Sequence, residues 1–169
     1  MKKKVVEKPD YNASLEDWLA YQKAHKGKYK KLMRATRKAL VKQAKNWYPW
    51  EETFLYDMMG LIFKGWEEYY KLGINVSGME KKDEAKSIID DVDESDCFFG
   101  WSSKEKALEE AERLSKIPTR EEIAHTLLEL LEKEEKAFWD WSIDGNELRE
   151  KAMKDFTDFF AEYIHYMWD

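Results

Sequence analysis

Apolar residues along this 169-residue chain recur every three to four positions and nowhere alternate over a useful length. That spacing predicts helices packed through one face, and it gives no strand signal. Over residues 14–46, steps of about 100° put Trp18, Tyr21, Gln22, His25, Tyr29, Leu32, Met33, Thr36, Leu40, Ala44 and Trp47 in one stripe. Lys23, Lys30, Arg34, Arg37, Lys38 and Lys45 lie opposite or beside it. Ser14 with Asp17 marks the helix start, Gly27 loosens its middle, and Pro49 stops it and opens the next.

A second helix is predicted over 50–72, with Asp57, Lys64 and Lys71 on a narrow polar strip. The rest of its surface is apolar, which predicts a central position with Phe63 and Trp66 in the core. Gly60 and Gly65 would let another helix approach, and Gly73 ends the element. A short helix is predicted over 79–92, then a long acidic loop over 90–101. Ser102 with Glu105 forms a capping box for a helix to about residue 116, and Thr119 with Glu122 forms another for a helix over 119–141. Asn146 is placed as the cap of a last helix reaching the C-terminus. The expected fold is therefore all-α: a compact single-domain bundle of about six helices. Residues 1–12 read as a disordered basic lead and 13–169 as the single helical domain.

Charge changes the picture. Residues 1–48 hold fourteen basic and four acidic residues, whereas 49–169 hold fifteen basic and thirty-one acidic. Ten basic residues and no acid fall between Lys23 and Lys45. A face so charged is expected to meet either an anionic partner or the acidic half of the same chain. Aromatics at 15% offset a charged fraction of 38%, so folding is expected rather than disorder. The single Cys97 leaves no intrachain disulfide, the basic start has no apolar run of a secretory signal, and no apolar run has the length of a membrane span.

Candidate chemistry is sparse. Glu122–His125 and Glu162–His165 each have the Glu-x-x-His spacing of carboxylate-bridged di-metal sites, yet both histidines fall off the apolar arcs of their helices. Asp140, Ser142, Asp144 and Gly145 start a calcium-loop pattern, but Lys151 stands where the closing glutamate belongs. No catalytic residue, metal ligand or cofactor is assigned. Nucleophile motifs, phosphate-binding glycine loops and zinc spacings do not occur. The ligand-binding candidates are Lys30, Arg34, Arg37 and Lys38 on the basic face. To these are added Trp47, Trp50 and Trp141, whose positions near helix ends suit a cleft.

Two segments carry a resemblance. NWYPWEETFLYDMMGLIFKGWEEYYKLG at 46–73 resembles a recurrent segment of small uncharacterised helical proteins of tailed bacteriophages, in which Tyr-Pro-Trp and an acid open an amphipathic helix. Glu51 stands where that acid is usually Asp. The terminal EYIHYMWD is similar to the Trp-Trp-Asp ending of the same group, with Met167 replacing the first Trp. The resemblance implies a phage-encoded protein acting in the cytoplasm of an infected bacterium, and it supplies no activity. The expected function is non-enzymatic: capture of a host protein or an anionic nucleotide-type ligand, countering host defence. The alternative is nucleic-acid binding in phage replication or packaging. An enclosed set of cations would favour the first, and an open cationic surface the second.

Overall fold

The structure, a computed structural model, describes residues 7–9, 13–46, 53–73, 80–94, 101, 103–140, 142 and 144–167. Six helices and no strand form among them. These are α1 (Leu15–Lys45), α2 (Thr53–Lys71), α3 (Lys81–Glu94), α4 (Lys104–Ser115), α5 (Arg120–Phe138) and α6 (Gly145–Tyr163), followed by a 3-10 turn, Ile164–Met167. Their starts follow local chemistry. The Ser14 hydroxyl accepts from the Asp17 amide at 3.2 Å. Thr119 and Glu122 satisfy each other's backbone amides as a complete capping box.

Helix packing runs α1 on α2, α2 on α5, and α5 on α6, while α3 and α4 pair with each other. The main core gathers Phe63 of α2, Ile123, Ala124, Leu127 and Leu131 of α5, Phe156 of α6, and Met167. A smaller core lies between α3 and α4 and comprises Ala85, Ala111, Leu114 and Ile117. Tyr166 packs against both cores. Polar ties reinforce that junction. Buried Arg120 donates through Nε to the Tyr166 carbonyl at 2.9 Å. Its backbone amide donates to Glu80, and Lys82 pairs with Glu122 at 2.8 Å.

Several sequence expectations need correction. The acidic loop expected from residue 90 does not start there, because α3 continues through Asp90 and Asp91 to Glu94. Val92, buried seven residues after Ala85, keeps the helical stripe going through the acids. Residues 95–100 lie outside the described residues. The start of α4 shifts by one: Ser103, not Ser102, accepts from the Lys106 amide. At α6 the cap position belongs to Asp144 rather than Asn146, which is already inside the helix. Gly145 opens it because a Cβ there would collide with the Asp140 carbonyl oxygen. α5 ends at Phe138 rather than residue 141.

The centre also moves. α2 lies between α1 and α5, as a central helix should, and Phe63 is 2% exposed. Yet α2 has one fully buried residue, Leu55 is exposed and Trp66 only partly buried. α5 has six buried residues. Gly65 does admit a close approach, since a Cβ there would sit 3.0 Å from the Thr36 methyl of α1. Residues 1–6 and 10–12 of the expected basic lead lie outside the described residues, and the Lys8 side chain lies against Gly73. Gly73 holds φ +62°, a left-handed value that suits glycine at a helix end.

Candidate functional site

α1 is attached along one seam. Its apolar stripe faces α2, where the Tyr21 hydroxyl donates to the Leu72 carbonyl at 2.6 Å. Tyr29 packs on Tyr69 with ring centroids 5.3 Å apart, and Gln43 donates to Asp57 at 2.5 Å. The tyrosines of the basic segment are thus packing residues, and among the described residues of α1 no aromatic side chain falls within the arc of cations.

That outer face is cationic over most of the helix. Lys23, Lys26, Lys28, Lys30, Lys31, Arg34, Arg37, Lys38, Lys42 and Lys45 are all exposed. All except Lys28 fall within an arc of about 160°, centred opposite the seam. From first to last they span about 33 Å of helix axis. None of them enters an ion pair with another described residue. The candidates Lys30, Arg34, Arg37 and Lys38 are therefore brought together on one open surface. Among the described residues no acid of the C-terminal half pairs with it; Asp57 reaches α1 at the seam and meets Gln43. Trp47, Trp50 and Trp141 lie outside the described residues, so the expected aromatic part of the site is not placed. Gly27 lies near the N-terminal end of the face, and a Cβ there would meet nothing within 4 Å.

The structure brings together a second set of residues. A cleft of about 700 Å³ opens between α2, α5 and α6, with Tyr56, Glu134, Phe138, Arg149 and Lys154 among its walls. Glu134 is 4% exposed, and its Oε1 accepts the Tyr56 hydroxyl at 2.5 Å. Burial first, and then the bond to Glu134, push the Tyr56 phenol far above its ordinary range, so it remains a donor. The Arg149 guanidinium lies 4.7 Å from the Phe138 ring centroid. Neither Arg149 nor Lys154 enters an ion pair among the described residues. Sequence reading missed this cleft, although one signal was available. Leu127, Leu131, Glu134 and Phe138 share a helical phase, and an acid on an apolar stripe marks a buried polar contact.

The remaining motifs serve local structure. His125 is exposed, with Nδ1 3.0 Å from Glu67 Oε1. Hydrogen bonding from Lys71, with a further contribution from His125, holds the Glu67 carboxyl below the usual range. Glu122 is engaged by the Thr119 amide and Lys82. His165 stacks on Tyr166 at 3.9 Å in the terminal turn. Asp140 accepts from the Ser142 amide at 2.9 Å, closing a turn between α5 and α6. Among the described residues no group of three or more His, Cys, Asp or Glu is placed to hold a metal, and no helix is long and apolar enough to cross a membrane. Comparison with protein-family models, curated proteins and solved structures finds no match for the chain.

Proposed function

We propose that the protein binds nucleic acid without catalysis, gripping the phosphate backbone through the outer face of α1. The observation that carries this reading is the exposure, on one 31-residue helix, of ten cations that make no ion pair among the described residues. Enclosed capture of a nucleotide or host factor requires walls around the cations, and among the described residues nothing closes over them. Folding gives no reason for the pattern. Lys26–Lys30, Lys30–Arg34, Arg34–Lys38 and Lys38–Lys42 are like-charged neighbours one turn apart. Each such pair disfavours the helix by about 0.2–0.5 kcal/mol, and a polyanion reverses that cost.

The form of the face indicates what it contacts. Stacking on bases needs aromatic platforms, whereas the outer face offers lysines, arginines, small residues and the exposed Val41. Its length of about 33 Å is close to one turn of a duplex. Binding is thus directed to duplex phosphates with little sequence preference. Within the phage setting that the segment 46–73 suggests, such an activity belongs to replication or packaging of the genome.

The test is fluorescence anisotropy of a short labelled DNA duplex with the wild type and with Arg34→Glu plus Arg37→Glu. The double variant is expected to lose binding and keep its melting temperature, because both side chains are off the seam. Equal affinity of the two proteins contradicts the proposal.

A further inference from the structure

The cleft between α2, α5 and α6 has the features of a built small-ligand site, independent of the basic face. Its volume of about 700 Å³ lies within the range of about 300–1,000 Å³ usual for such sites. Its walls contain no residue of α1. A buried carboxyl is costly unless hydrogen bonds satisfy it. Glu134 receives one, from Tyr56, to Oε1. No described donor meets Oε2, and Glu134 lines the cleft.

The cleft also holds two cations and a second acid, Glu150. Arg149, its guanidinium over the Phe138 ring, and Lys154, one helical turn and a residue further along α6, line the same cleft. They are the cations that a ligand anion would meet. We propose that this cleft binds a small molecule that donates N–H groups to Glu134 and presents an anion to Arg149 and Lys154. Two sources share that chemistry: a nucleoside monophosphate whose base has an N–H edge, and a zwitterionic amino acid. Tyr56 fixes the direction of recognition. Its hydroxyl is committed to Oε1, so the ligand supplies the donor to Oε2 rather than an acceptor. Phe138, Met153 and the stem of Arg149 give the cleft an apolar part for a ring or aliphatic body.

The experiment is isothermal titration of the full chain with guanosine monophosphate, with adenosine monophosphate, and with free glutamate and arginine. It is repeated on Glu134→Gln, Lys154→Gln and Arg34→Glu plus Arg37→Glu. Saturable binding of a nucleotide or an amino acid is expected. It should weaken about tenfold or more in Glu134→Gln and in Lys154→Gln, and stay unchanged in the α1 double variant. Preference for guanosine over adenosine monophosphate assigns a base edge rich in N–H donors, and binding of the amino acids instead assigns the zwitterion. Lys154 is exposed, so its variant reports on binding even if Glu134→Gln lowers stability. No saturable binding of any of the four probes, or affinities unaffected by both cleft variants, overturns the proposal.

Discussion

Helices α1 and α5 stand in opposite relations to the fold. α1 has 31 residues and one of them, Tyr21, is buried. α5 has 19 residues, of which six are buried, and it touches α2, α6 and the terminal turn. Deleting α5 would dissolve the main core, whereas α1 contributes one seam along α2. A helix so long and so lightly attached would be expected to shed like charges; α1 concentrates them. The difference teaches that burial accounts for the sequence of α5 and leaves the charges on the outer face of α1 unexplained, which is what the proposed polyanion would supply.

The contrast can be broken most sharply at Leu127, which is fully buried in the main core. Leu127→Ala should destabilise the protein by about 2–5 kcal/mol in chemical denaturation. The α1 pair Arg34→Glu and Arg37→Glu should change stability by under about 0.5 kcal/mol in the same measurement. Comparable losses at the two places would show that α1 is part of the core after all.

Next in size is the polar contact of the cleft. Tyr56→Phe removes the donor to a buried carboxyl and should cost about 1–3 kcal/mol, read from the denaturation midpoint. At the start of α5, Thr119→Ala should cost about 1 kcal/mol through loss of the cap. The other half of that capping box is acid-sensitive. Lys82, and then the Thr119 backbone amide, hold the Glu122 carboxyl below its ordinary value of 4.5. A carboxyl so lowered gives stability that is present above the ordinary value and disappears as pH falls through the lowered one. Wild-type stability should therefore fall more steeply below about pH 4.5 than that of Glu122→Gln, in melting followed across pH.

The smallest expected effect has the opposite sign. Gly27 is exposed on α1, and a Cβ would meet nothing. Gly27→Ala should raise stability by roughly 0.5–1 kcal/mol, seen as a higher melting temperature. Gly145→Ala should lower it, since its Cβ would meet a backbone carbonyl. A destabilised Gly27→Ala would mean that the outer face of α1 is packed.

The helical periods of residues 14–46, 50–72 and 119–141 made the all-α bundle legible, because aromatic and aliphatic residues repeat there without interruption. α3 was misread at its end because acids surround Val92 and dilute the stripe. The cap shifts at Ser103 and Asp144 reflect choices among adjacent polar residues that only backbone geometry decides. The basic face was legible as charge, and its exposure was not, since covering by the acidic half depends on how helices pair. The cleft was hidden for another reason: Tyr56 and Glu134 are 78 residues apart, and Arg149 comes from a third helix.

The central claim, that α1 meets a polyanion through its outer face, is tested most directly by the salt dependence of wild-type affinity for a DNA duplex. Each phosphate neutralised releases condensed counterions, giving a slope of log affinity against log salt of about −0.9 per contact. If about five of the α1 cations engage phosphates at once, the slope should be about −4 to −5. A slope near zero, or no duplex binding even at low salt, would contradict the account.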